Sequence, residues 1–211
     1  MAQAPQSVRE KRALAIAREQ LARLEPGTIA HRAGVRYEPG GITEGVFWVP
    51  FLGTTYRVTY PAGVVESGQV SGPVKHATCL LLLHYLVHAD GHRMADKWVT
   101  FRELPDGLIY DGAFRGRVEP PLLTAFAQDL QSFARAARAL GGSPIAFGDA
   151  AFQFGILPRI RMAVVFYLGD EELPPAVTVL YDAAAGHYLP TEDLAILGGM
   201  LVGALLRHAR H

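Results

Sequence analysis

The chain has 211 residues, with 20 Lys and Arg against 20 Asp and Glu, so its formal net charge is zero. A nucleic-acid binder needs a basic excess to displace phosphate counterions, and none is present. Half the residues are apolar, enough for a sizeable core and too many for a disordered chain.

The first predicted helix runs from an N-cap at Ser7 to about Glu25, with Leu14, Ala17, Leu21 and Leu24 on one stripe. The same stretch is charged where a secretion signal is apolar, which points to the cytoplasm. Pro26-Gly27 ends this helix, and a short helical turn precedes Gly34. From Val35 to Val65, VRY, GVFWVPFLG and TTYRVTY are rich in β-branched and aromatic residues, predicting antiparallel strands. Leu52-Gly53-Thr54 is the expected hairpin turn.

Ser71-Gly72-Pro73 is expected to start a central helix that is apolar nearly all round and runs to about Ala89. It carries the one cysteine, Cys79, which has no intramolecular disulfide partner and reads as a buried inert thiol. WVTFREL (98–104) predicts a strand, Pro105-Asp106-Gly107 a turn, and Leu108–Tyr110 a continuation of the pairing. Pro120-Pro121 is expected to open a helix on the stripe Leu122, Phe126, Leu130, Phe133, Ala137 and Leu140, with Arg135 and Arg138 off it. Strands follow over 151–157, 159–168 and 176–182. A last helix starts near Thr191, with Glu192 and Asp193 at the positive end of its dipole and Arg207 and Arg210 at the other. Its apolar stretch, Leu194–Leu206, is well short of the about 20 residues of a membrane span. Together these elements predict one α+β domain over 1–211, with an N-terminal helical segment (1–33) and a main body (34–211) built on a mainly antiparallel sheet packed against helices.

Three groups of side chains carry candidate chemistry. His84, His88, Asp90 and His92 form an H-x-x-x-H-x-D-x-H pattern. Residues four apart share a helical face, so His84 and His88 suit one zinc or iron ion, with Asp90 or His92 as a third ligand. The same residues serve equally well as structural histidines at a helix end, where they cap carbonyls. Arg102, Arg159 and Arg161, with Glu103, suit an anionic cofactor or a set of cross-strand ion pairs. The acidic residues Asp149, Asp170, Glu171, Glu172, Asp182, Glu192 and Asp193 sit at predicted element ends, divided between opposite ends of the last strand. No Gly-x-Ser-x-Gly or phosphate-binding loop is present. Ala195, Gly199 and Gly203, four apart, form a small-residue stripe that allows close helix packing, inside the fold or in a homodimer.

The blocks LLLLHYLVHADG (80–91), WVTFRELPDG (98–107), GDEELP (169–174) and VLYDAAAGHYLPTEDLAILG (179–198) resemble a prokaryotic domain family of unknown function. Its members occur alone or downstream of a small four-iron–four-sulfur module. This chain has Leu173 where the family pattern favours Phe, and one cysteine cannot supply the four thiolates of such a cluster. The resemblance implies an association with redox or corrinoid metabolism. The expected role is a non-catalytic cytoplasmic binding or accessory domain for a cofactor or a redox protein. The alternatives are a metal-dependent enzyme using His84 and His88, or a structural homo-oligomer.

Overall fold

A computed structural model describes residues 6–68 and 72–209, and these fall into two compact units. One comprises Met1–His92 with His187–Leu189. The other comprises Arg93–Gly186 with Pro190–His211. Each combines helices with an antiparallel sheet, so the α+β expectation holds. Among the described residues, no helix is long and apolar enough to cross a membrane.

The first unit begins with α1 (Gln6–Ala22) and α2 (Pro26–Ala33). Pro26-Gly27 opens α2 rather than closing α1. Glu25 accepts the Gly27 N–H at 2.8 Å as N-cap, and the proline loses nothing at a helix start. Leu24 therefore leaves the predicted stripe and is exposed, whereas Ala17 and Leu21 are buried. The Ser7 side chain and Ser71 lie outside the described residues.

A four-stranded meander follows: β1 (Arg36–Pro39), β2 (Gly45–Phe51), β3 (Thr54–Tyr60) and β4 (Val65–Ser67). Alternation places Phe47, Val49 and Phe51 inward. Leu52 (φ 47°) and Gly53 (φ 76°) make the two-residue turn expected there, with both central residues left-handed as its twist requires. The helix α3 (His76–His88) starts later than Pro73, with Lys75 as its N-cap (φ −58°, ψ 140°). Leu81, Leu82, Leu83, Tyr85 and Leu86 are buried, and the Tyr85 hydroxyl donates to the Ala33 carbonyl at 2.6 Å.

The second unit has a five-stranded sheet in the order β5-β9-β8-β7-β6, formed by β5 (Trp98–Thr100), β6 (Ser143–Pro144), β7 (Ala150–Leu157), β8 (Ile160–Tyr167) and β9 (Ala176–Asp182). Helices α4 (Gly107–Phe126), α5 (Leu130–Ala139) and α6 (Thr191–His208) complete it. Arg210 lies outside the described residues. Two expectations are corrected here. Strand β5 stops at Thr100, where Glu103 accepts from the Thr100 N–H and hydroxyl and folds Phe101–Glu103 into a 3-10 turn. Leu108–Tyr110 then belong to the first turn of α4, not to a strand.

Pro120-Pro121 lie inside α4 rather than at its start. Each removes a ladder donor, leaving the exposed Gly116 and Arg117 carbonyls without helical partners, and an interior proline costs about 3 kcal/mol. Phe114, Val118, Leu122 and Phe126, spaced by four, are all buried. At about 1.5–3 kcal/mol for each buried side chain, that stripe offsets the prolines. The helix ends before Asp129, which caps α5 by accepting the Ser132 N–H at 2.9 Å. The predicted single helix is therefore two.

Two glycines of α4 make opposite demands. A methyl on Gly107 would sit 2.0 Å from the Phe101 carbonyl oxygen, whereas one on Gly112 would meet nothing within 4 Å. Gly107→Ala is expected to destabilise the protein by about 3 kcal/mol. Gly112→Ala should stabilise it by up to about 1 kcal/mol through helix propensity alone. Urea unfolding measures both, and equal effects would refute this placement of the helix.

Candidate functional site

A cleft of about 290 Å³ opens where α4 crosses the 3-10 turn and β9. Its floor is apolar: Phe101 stacks on Phe114 with ring centroids 4.2 Å apart, and Val179 lies beside them. Its rim is polar, with Thr100, Arg102, Asp111, Arg115, Glu119 and Thr178. Asp111, Arg115 and Glu119 follow one another at intervals of four, so α4 presents them as a row. Arg115 holds Glu119 through two hydrogen bonds of 2.7 and 3.2 Å, and this pairing raises the guanidinium pKa above its ordinary value. Arg102 is exposed and forms no ion pair among the described residues.

On the same helix, just before Asp111, lies an exposed apolar run. Leu108, Ile109 and Tyr110 are 62%, 76% and 44% exposed, three large apolar side chains in succession. Leu108 precedes Asp111 by three residues and Arg115 by seven, which puts it on the cleft side of the helix. Gly112 and Gly116 extend the open surface along α4, with nothing within 4 Å of either Cβ position.

Of the three arginines expected to act together, only Arg102 lines this cleft. Arg159 is half-buried in the β7–β8 turn. Arg161 is committed elsewhere: it donates to Asp96 and, at 2.9 Å, to Asp182, and its guanidinium lies 5.7 Å from the Trp98 ring centroid. Asp182 is 1% exposed and also accepts the N–H groups of Ala95, Asp96 and Ala184 at 2.8–3.0 Å. Burial pushes its carboxyl upward, but these donors and Arg161 outweigh it and hold the pKa below the usual carboxylate range.

The other acids are engaged locally. Asp149 accepts the Leu168 N–H at 2.6 Å, and Asp170 accepts those of Leu173 and Glu172 at 2.8 and 2.9 Å. Those backbone donors lower the Asp170 pKa. Glu171 and Glu172 are exposed in the same loop, and Glu192 and Asp193 lie in the first turn of α6. Close internal packing on α6 falls at Gly198, where a Cβ would lie 2.6 Å from both Phe114 and the Tyr181 hydroxyl. On the small-residue stripe, a Cβ at Gly199 would meet nothing within 4 Å. Cys79 is half-buried, and burial raises its thiol pKa.

The histidine quartet separates. His84 and His88 are neighbours on α3, their rings 5.6 Å apart and edge-to-face. Asp90 and His92 instead meet His187. Asp90 Oδ1 accepts the His92 N–H at 2.8 Å, and Oδ2 is 2.6 Å from His187 Nδ1. The His92 and His187 rings stack 3.8 Å apart within 3° of parallel, and the Tyr188 hydroxyl donates to the His92 carbonyl. Parallel stacked imidazoles aim their lone pairs side by side rather than at a common point. Among the described residues, no group of three or more His, Cys, Asp or Glu side chains is placed to hold a metal ion.

No curated protein and no solved structure matches the chain. A family model does match, over residues 25–204, and that span includes α4, its cleft and the Asp90–His187 contact. The chain thus belongs to the family described as a domain of unknown function, DUF3786.

Proposed function

We propose that this chain is a non-catalytic accessory domain of the cytoplasm that docks a protein partner working in redox or corrinoid metabolism. The observation that carries the docking is the exposed run Leu108–Tyr110 beside the cleft. Exposed apolar clusters on folded proteins mark interaction sites, and aromatic anchors beside polar rims are typical of them. The size of the cleft favours a partner over a cofactor: at about 290 Å³ it lies at the small end of ligand pockets, which run to about 300–1,000 Å³, and suits a protruding side chain better than a corrin ring. On this reading the cofactor is the partner's. Arg102 and the Arg115–Glu119 pair supply polar contacts at the rim.

A photo-crosslinking residue placed at Ile109 in the producing cells tests this reading. Placed at Glu171, it provides the control. The expected result is one crosslinked species specific to position 109, containing a redox or corrinoid protein, and lost when Leu108 and Tyr110 are both changed to Asp. Crosslinking only between copies of this chain would transfer the face to a homo-oligomer. No product beyond the Glu171 control would overturn the docking.

A further inference from the structure

We propose that His187 is a phosphoryl-accepting histidine whose Nε2 is the nucleophile and whose Nδ1 is fixed by Asp90. A carboxylate can only accept a hydrogen bond, so the 2.6 Å contact puts a proton on Nδ1, and in the neutral ring the lone pair is then on Nε2. Among the described residues Nε2 has no hydrogen-bond partner, and the side chain is 42% exposed, so a small electrophile can reach it. The ring cannot swing freely, because His92 stacks flat against it and the Asp90 carboxylate is itself tied to the His92 N–H. Orientation of this kind is what an activated imidazole requires. The Asp90 carboxyl is held below its ordinary pKa. Burial opposes this, but the His187 hydrogen bond and the His92 N–H outweigh it, so the carboxylate stays charged at neutral pH. Arg32 of α2 packs beside Gly91, its Cγ 3.3 Å from where a Cβ would stand, and so brings a cationic residue to the same turn.

The donor is an N–P compound of the phosphoramidate class. The Nε2 lone pair attacks phosphorus, the N–P bond of the donor breaks, and its electron pair leaves with the protonated nitrogen as a neutral amine. His187 keeps its Nδ1 proton, so the ring becomes positively charged on phosphorylation, next to the Asp90 carboxylate that stabilises that charge.

Treating the full chain with phosphoramidate and mapping the acid-labile phosphoryl group by mass spectrometry tests the assignment. His187 should label at least about tenfold faster than the exposed His31 and His208, as expected for an oriented nucleophile against free imidazoles. Asp90→Asn should remove that advantage while circular dichroism remains native, and His92→Ala, which removes the stacked ring, should slow labelling while keeping it on His187. Equal labelling of the three histidines in the unaltered chain would overturn the proposal, whether or not the Asp90 variant folds. So would undiminished labelling of a His187→Gln chain.

Discussion

Asp182→Ala is expected to destabilise the protein by about 3–5 kcal/mol, the range for breaking a buried ion pair from one side. The carboxylate closes four hydrogen bonds at once: three to the backbone N–H groups of Ala95, Asp96 and Ala184, and one to Arg161. Truncation strands the three backbone donors and leaves Arg161, only partly open to water, with Asp96 alone. Arg161→Met should cost less, because the three backbone donors keep their acceptor. The pH dependence has a definite sign. The folded pKa lies below the unfolded one, so on acidification the unfolded chain binds the proton first. The contribution is complete above the unfolded value of about 3.9 and is lost as pH falls through the folded value. The gap between wild type and Asp182→Ala should therefore narrow below about pH 4 in urea titrations. A loss under about 1 kcal/mol at neutral pH, the size of an exposed pair, would refute a structural role for this carboxylate.

Phe133→Ala should cost about 3–5 kcal/mol. The ring is 0% exposed and meets Phe166, Phe152 and Phe126 at centroid separations of 4.7, 5.5 and 5.6 Å. Each such contact adds about 0.5–1.5 kcal/mol beyond area burial, so this site should sit at the upper end of the range. Phe126→Ala is also core, with two ring neighbours, Phe133 and Phe166, and should cost slightly less. Arg135→Ala, exposed on the same helix as Phe133, should change stability by less than about 0.5 kcal/mol. Chemical denaturation of the three variants reads this directly, and similar losses at Arg135 and Phe133 would mean that the helix is rotated.

The sequence exposes strands well where burial alternates or is continuous. GVFWVPF and TTYRVTY flank a two-residue turn, and AVTVLYD and RIRMAVVFY pair in register in the second sheet. It hides α4. Leu108–Tyr110 carry high β-propensity, and a proline pair looks like a helix start, so two local signals agreed on the wrong element. The spacing Phe114, Val118, Leu122, Phe126 ran through both and could have revealed the helix. Asp111, Arg115 and Glu119 were missed with it, so Arg102 was the one cleft residue legible beforehand. His187 is a different case. It lies 97 residues from Asp90, and no local spacing encodes a contact that only tertiary packing creates.

The proline pair in α4 also governs how force passes through the second unit. Where Gly116 and Arg117 have carbonyls without helical donors, the backbone ladder between the front of the helix and its rear is thinned by two bonds. A partner pulling on Ile109 would then load the helix more through its side chains. Phe114 is wedged against Phe101 and Tyr181, so these rings offer the pull a sideways route to the sheet beside the one along the axis to Phe126.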